Sequence, residues 1–203
     1  MSLDTAIALM GFAFVMSISP GPGNFLLLAS GANFGFLRSL PLVLGISLGF
    51  LTMVFCVGLG LGQLLKSTPL VYTALKFACA AYVLWLAWKI GRSRALGPAE
   101  SAQMAAPISF LQAALFQLVN PKAWAVALIV TVSYTSPQDY LLSLILMILL
   151  FAVVNLPAIS TWAAAGVALR RYLGSGRRLA AFNVAMAVLL TASMLPVLLG
   201  SMD

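Results

Sequence analysis

Two short stretches of this sequence combine helix-breaking residues with polar side chains inside apolar segments. The first, "SPGPGN", holds in order Pro20, Gly21, Pro22, Gly23 and Asn24. Because proline lacks a backbone donor and glycine is a poor helix former, we expect the helix to break here and to free backbone carbonyls and amides as ligands. A half-helix starting on the Leu26 side would point its positive N-terminal end at a carboxylate. The alternative is a simple proline kink whose backbone groups are satisfied by neighbouring helices.

The second stretch, "VNPKAW", places Asn120, Pro121 and Lys122 within another apolar segment. Lys122 is the basic residue lying deepest in a predicted span, where insertion of a lysine costs roughly 2.5–3.5 kcal/mol. A lysine at that depth must pair, lose its proton or face water. We interpret Lys122 as the counter-ion of a carboxylate that passes the middle of the membrane. The alternative is that its side chain extends to the membrane interface.

Further polar residues mark the segments around these breaks. Gln117, Asn120 and Trp124 follow the i, i+3, i+7 spacing of one helical face. On an ideal helix Lys122 points elsewhere, but a break at Pro121 would allow it to turn toward that face. Asn155 lies in a later irregular region, where hydrogen bonding between helices is the favoured interpretation and substrate binding the other.

The composition places the whole chain in a membrane. Of 203 residues, 63% are hydrophobic and 7% are charged, whereas soluble domains carry about 25% charged residues. The net charge of +7 is then a signal of membrane orientation, and nucleic-acid binding is rejected. With no histidine and no carboxylate deep in a span, we expect neither an enzyme nor a protein with a metal or other cofactor.

Six apolar segments, each long enough to cross about 30 Å of hydrocarbon, indicate an all-α membrane protein with six transmembrane helices. They cover residues 5–30, 40–63, 70–90, 109–132, 140–168 and 179–199. Residues 91–108 form the one long polar connection, a predicted cytoplasmic linker. It divides one integral membrane domain into a first three-helix repeat (1–90) and a second (109–203).

The basic residues predict the orientation of the spans. Most of them follow spans one, three and five: Arg38, Lys89, Arg92, Arg94, Arg170, Arg171, Arg177 and Arg178. The positive-inside rule therefore puts these connections in the cytoplasm and both termini outside. Three spans per half would make the second half enter the membrane from the opposite side. Inverted repeats with broken helices at matching positions, here spans one and four, are typical of secondary transporters.

These motifs resemble the LysE/RhtB family of bacterial amino-acid exporters, and most closely its cysteine/O-acetylserine type. The resemblance rests on the Pro-Gly-Pro break, the glycine-rich "GANFGFLRSLPLVLGISLGF", and the stretches "AAYVLWLAWKI", "PISF" and "NPKAW". It implies a carrier in the bacterial inner membrane that expels amino acids or close derivatives with an electrochemical gradient. One departure is Gly23, which stands where the family usually has the asparagine that follows Pro-Gly-Pro.

We therefore expect a secondary-active exporter that works by alternating access, with cysteine, O-acetylserine, homoserine or threonine as candidate substrates. The substrate carboxylate would meet half-helix amides and Lys122, and its ammonium would meet backbone carbonyls near Pro20 and Asn120. The expected partners are the lipid bilayer, a coupling ion with the proton as first candidate, and a second copy of the chain in a homo-oligomer. The alternative function is a channel for small zwitterionic metabolites.

Overall fold

The computed structural model describes residues 1–60, 69–91, 107–174 and 176–192, and the side chains of 69–76 and 78–80 are not described. The described residues form helices and no strand, which confirms the all-α class. The helices are α1 (Leu3–Ile18), α2 (Pro22–Phe34), α3 (Phe36–Gly58), α4 (Pro69–Gly91), α5 (Phe110–Gln117), α6 (Pro121–Ser133), α7 (Tyr140–Leu173) and α8 (Arg177–Ala192).

The first predicted break separates α1 from α2, whose axes differ by 57°. α1 ends at Ile18, and α2 begins at Pro22 with Gly21 as its N-cap. Proline suits the first helical position, because its fixed φ is helical and the missing donor would have no acceptor there. The prediction that the half-helix starts on the Leu26 side was therefore wrong by one turn, and Asn24 lies in the first turn of α2.

The second predicted break separates α5 from α6, whose axes differ by 64°. α5 begins with a capping box, in which Ser109 accepts from the Gln112 backbone and the Gln112 side chain accepts from the Ser109 backbone. α6 again has proline, Pro121, in its first turn, and Asn120 is its N-cap. The two breaks thus have the same local construction, a proline that starts the second half-helix.

The helices long and apolar enough to cross a membrane are, among the described residues, α3 and α7. Each bent pair, α1 with α2 and α5 with α6, would add one span and give up to four. α4 and α8 correspond to the predicted third and sixth spans and are not part of that set. The predicted linker lies almost wholly in 92–106, and the end of the predicted sixth span in 193–199, both outside the described residues.

Two hydrophobic clusters fill the bundle, one toward each end. One contains Leu26 and Leu27 of α2 with Phe116 of α5 and Ile159 of α7. The other joins α1, α6, the first half of α7 and the second half of α3, where Phe50 and Phe151 pack with ring centroids 5.1 Å apart. The two helix breaks fall between these clusters.

Glycines allow the closest helix contacts. A Cβ on Gly31 of α2 would overlap the Ala163 carbonyl of α7, and a Cβ on Gly166 of α7 would overlap the Leu28 carbonyl of α2. Gly45 and Gly49 of α3 meet α5 in the same way. These contacts agree with the close packing that small residues permit.

Gly35 has a different role from Gly31, although the two share a small-residue spacing. Its φ of 84° forms the turn between α2 and α3, a conformation that favours glycine. α3 begins directly afterwards at Phe36, so Arg38 lies in its first turn and not in a connection between spans.

Candidate functional site

The two helix breaks lie against each other. A Cβ on Gly21 would stand 2.9 Å from Cδ of Lys122, and a Cβ on Gly23 would stand 3.9 Å from Nδ2 of Asn120. Gly21 is the N-cap of α2 and Asn120 the N-cap of α6. The N-terminal ends of the two half-helices are therefore neighbours, although about one hundred residues separate them in sequence.

Lys122 joins the two breaks directly. Its ammonium group donates to the carbonyl oxygen of Ser19 at 2.7 Å and to the Ser19 hydroxyl at 2.8 Å. The side chain runs across Gly21 to reach Ser19 and is half-buried. In this conformation Lys122 is thus held inside the bundle by neutral oxygens, which accounts for its tolerance in an apolar segment.

The carbonyls that the first break frees are occupied by side chains. Asn24 Nδ2 donates to the carbonyls of Ser17 at 2.9 Å and Ser19 at 2.8 Å, and Trp162 Nε1 donates to the carbonyl of Ile18 at 3.2 Å. The Ser19 carbonyl therefore accepts two bonds, from Asn24 and Lys122, which uses both of its lone pairs. Asn24 serves in this structure as an internal cap for the broken end of α1.

Asn155 connects three helices at the level of the breaks. Its Oδ1 accepts from the Ser47 hydroxyl of α3 at 2.9 Å, and its Nδ2 donates to the Ser17 hydroxyl of α1 at 2.9 Å. All three side chains are buried. The favoured interpretation of Asn155, hydrogen bonding between helices, describes these contacts.

Gln117 and Asn120 interact across the second break. Gln117 Nε2 donates to the Ala113 carbonyl at 3.4 Å, and Asn120 Nδ2 donates to Gln117 Oε1 at 3.3 Å. Trp124 turns away and donates to the Leu118 carbonyl at 2.8 Å. The break thus brings Lys122 to the same side as Gln117 and Asn120.

A cavity of about 60 Å³ lies where these groups meet. Its polar wall consists of Ser17, Gln117, Asn120, Lys122 and Asn155. The remaining wall is apolar. It includes Ile46 and Ile159 of one hydrophobic cluster and Phe50 and Phe151 of the other. At roughly 10–15 Å³ per water, such a cavity holds a few waters.

The predicted site residues therefore divide into two groups. Gln117, Asn120, Lys122 and Asn155 line the cavity. The others are not among the residues that line it: Pro20, Gly21, Pro22, Gly23, Asn24 and Pro121. Pro20 is exposed, whereas its four successors are buried, with Gly21 against Lys122 and Gly23 near Asn120. Among the described residues, no group of three His, Cys, Asp or Glu side chains is placed to hold a metal ion.

Three serines of the site were not predicted: Ser17, Ser19 and Ser47. Ser17 and Ser19 both precede the break, in "SISP", and their partners Asn155 and Lys122 lie 138 and 103 residues away. The proximity of Ser19 to the proline break was the one available signal, because a break exposes the adjacent carbonyl. Ser47 carries no such signal, since serine is common in packed membrane helices.

Comparison with known proteins gives the following matches. The sequence profile of the LysE type translocators matches residues 14–198. The cysteine/O-acetylserine efflux proteins of Escherichia coli strain K12 and Shigella flexneri are each 34% identical to this chain over 182 residues, which cover 88% of this chain and 90% of the relative. The protein of that name in Escherichia coli O1:K1 is 33% identical over the same coverage. No solved structure matches the chain significantly.

Proposed function

Starting from the fact that the chain belongs to the LysE type translocator family, whose members are transporters and not enzymes, we propose that it exports a small amino acid from the cytoplasm. Relatives that cover 88% of the chain are named for cysteine and O-acetylserine efflux, so these two compounds are the first candidate substrates.

The observation that carries the proposal is the cation at the meeting point of two half-helix N-termini. The first-turn amides of a helix have no acceptor within it and carry partial positive charge. The N-terminal ends of α2 and α6 both lie beside Lys122, whose ammonium group adds a full positive charge to their partial ones. A substrate carboxylate would bind here by taking Lys122 from the neutral oxygens of Ser19.

The bundle would work as two inverted three-helix repeats. The shared construction of the two bent pairs supports this, because each has a proline-started second half-helix, at Pro22 and Pro121. Counting α4 and α8 as spans gives six. Rocking of one repeat against the other would expose the site to each side in turn. The excess of arginine at the end of α7 and the start of α8 supports cytoplasmic placement of that connection in the inner membrane, with both termini outside.

Coupling to an ion would not use a carboxylate of the site. The acidic residues of the described chain, Asp4 and Asp139, are both exposed near helix ends. A proton is the first candidate for the coupling ion, carried by Lys122 or by the substrate.

The test is reconstitution into liposomes with a panel of labelled amino acids, with and without a proton gradient. We expect saturable transport of one or a few small amino acids and acceleration by unlabelled substrate on the opposite side. Absence of transport for every amino acid would contradict the proposal. Flux that neither saturates nor shows counter-transport would favour the channel.

A further inference from the structure

Asn120 Oδ1 is, among the described residues, the one buried side-chain oxygen or nitrogen without a hydrogen-bond partner. Asn120 lines the cavity and is 6% exposed. An unsatisfied buried acceptor is destabilising, because it has lost its hydrogen bonds to water and gained none in return. Native proteins keep few such groups, so this one calls for a physical explanation.

The orientation of the Asn120 amide is fixed by a chain of hydrogen bonds. The Ala113 carbonyl can only accept, so Gln117 must present its nitrogen to it. Gln117 then offers Oε1, which requires the nitrogen of Asn120. Reversing the Asn120 amide would set two acceptors against each other, and reversing Gln117 as well would set its oxygen against the Ala113 carbonyl. The side-chain oxygen of Asn120 therefore has no donor in this arrangement.

Capping of α6 does not use this oxygen either. Asparagine is favoured at an N-cap because its side-chain oxygen accepts from the first-turn amides. Asn120 occupies the N-cap of α6 but makes no such bond. Asn120 thus occupies a capping position, but its side-chain oxygen accepts no hydrogen bond there.

The other side-chain oxygens of the cavity wall already accept a hydrogen bond. Asn155 Oδ1 accepts from Ser47, the Ser17 hydroxyl accepts from Asn155, and Gln117 Oε1 accepts from Asn120. The Ser19 carbonyl, which is not part of the wall, accepts from both Asn24 and Lys122. Among the side-chain oxygens of the described cavity wall, Asn120 Oδ1 is therefore the acceptor that a ligand with positive N–H donors finds without a donor.

We propose that Asn120 is the residue that recognises the amino group of the substrate, and that Gln117 positions it. This inference rests on the proposed function. In the present conformation Oδ1 is shut off from water, so the substrate reaches it when the cavity widens around the ligand. The carboxylate then binds at Lys122 and the ammonium donates to Asn120 Oδ1, two residues apart. This assignment puts a side-chain oxygen in place of the backbone carbonyls near Pro20 and Asn120 that were expected to bind the ammonium.

The test compares an amino acid with its des-amino analogue in proteoliposomes. L-cysteine and 3-mercaptopropionate form the first pair. For each compound we would measure the concentration that half-inhibits uptake of labelled L-cysteine, and then divide the value for 3-mercaptopropionate by the value for L-cysteine. Asn120→Leu keeps the approximate size but removes the acceptor. Since a hydrogen bond to a charged group contributes on the order of tenfold or more in affinity, we expect the ratio to fall by roughly tenfold in this variant.

Two further variants separate recognition from a loss of structure. Gln117→Met releases the Asn120 amide without removing it, and we expect a smaller fall of the same ratio. Gln112→Met makes the same chemical change on the same helix, at a capping side chain outside the cavity wall, and should leave the ratio unchanged. If Asn120→Leu does not fold, Gln117→Met carries the test alone.

The outcomes distinguish this inference from the proposed function. An unchanged ratio in folded Asn120→Leu, with wild-type uptake of cysteine intact, would overturn the role of Asn120 and leave the exporter standing, as would an unchanged ratio in Gln117→Met if Asn120→Leu does not fold. A fall in Asn120→Leu with no change in Gln117→Met would overturn only the positioning role of Gln117. If the wild type transports another amino acid instead, that compound and its des-amino analogue replace the pair. A wild type that transports no amino acid would overturn both.

Discussion

Lys122 shows how a single residue becomes compatible with an apolar segment. Its ammonium group is bound by two oxygens of Ser19, and its stem crosses Gly21. These neutral acceptors stabilise the charge but, unlike a carboxylate, leave it formally uncompensated. A lysine in that situation is suited to an anionic ligand, which would supply the missing charge.

The side chain of Lys122 passes so close to Gly21 that a Cβ at this position would oblige the lysine to shift. A Cβ there would stand 2.9 Å from the lysine Cδ, whereas a Cβ on Gly23 would make an ordinary contact of 3.5 Å with Ile46. We expect Gly21→Ala to displace Lys122 from Ser19 and to raise the KM for transport by on the order of tenfold, the size of a charge-assisted hydrogen bond. Gly23→Ala should stay within roughly twofold of the wild type.

The measurement is the concentration dependence of amino-acid uptake by the two alanine variants, each checked for monodispersity in detergent. Equal KM values for Gly21→Ala and the wild type would show that the contact with Lys122 does not affect the site.

The polar residues of the site are easier to predict from the sequence than the residues with which they form hydrogen bonds. Asn120 and Lys122 are conspicuous because prolines and charges are costly in apolar helices. That Lys122 binds Ser19 could not be derived, because the contact depends on how two distant breaks pack. The 64° bend between α5 and α6, which turns Lys122 toward the side of Gln117 and Asn120, could not be derived either.

At the scale of helices, the breaks were predictable and their boundaries were not. Two prolines in "SPGPGN" permitted several starting points for the second half-helix. The structure selects Pro22, where proline at the first helical position loses no hydrogen bond. Gly31 and Gly35 lie four residues apart, a spacing typical of helix packing, yet only Gly31 makes such a contact, whereas Gly35 forms a turn with φ of 84°. The sequence pattern alone does not distinguish these two roles.

The contact between α2 and α7 holds the broken helix in place. A Cβ on Gly31 would meet the Ala163 backbone, which has no freedom to move aside, while a Cβ on Gly11 of α1 would meet nothing within 4 Å. We expect Gly31→Ala to destabilise the protein by about 1–3 kcal/mol through overpacking. Gly11→Ala should be neutral or stabilising by up to ~1 kcal/mol, because alanine favours the helix.

Thermal unfolding in detergent, followed for both variants, measures this difference. A midpoint for Gly31→Ala equal to or above that of Gly11→Ala would contradict the close approach of α2 and α7.

At the scale of the whole molecule, the site lies where the two hydrophobic clusters meet. Ile46 and Ile159 belong to one cluster, and Phe50 and Phe151 to the other, and all four line the cavity. Residues of both predicted repeats line it, as a carrier whose repeats rock around one central ligand would require.

The proposed orientation predicts which surfaces face the cytoplasm. With Cys56 and Cys79 replaced by serine, single cysteines would be introduced at Ser2 before α1 and at Tyr172 near the end of α7, both exposed. We expect a membrane-impermeant maleimide to label Ser2→Cys in intact spheroplasts. Tyr172→Cys should be labelled only after the membrane is permeabilised. The reverse pattern would overturn the orientation, and labelling of both in intact spheroplasts would contradict the assignment of these ends to opposite sides.

We propose that a substrate carboxylate binds at Lys122, between the two broken helices. Counterflow tests it most directly, with proteoliposomes loaded with unlabelled amino acid and exposed to labelled amino acid outside. The comparison is Lys122→Gln against Lys89→Gln, the same change at a lysine that lies over Trp85 at the end of α4, with 5.5 Å from Nζ to the ring centroid. We predict a transient overshoot of labelled substrate in the wild type and in Lys89→Gln, and its loss in Lys122→Gln. Folded Lys122→Gln protein with an undiminished overshoot and an unchanged KM would contradict binding of the substrate carboxylate at Lys122.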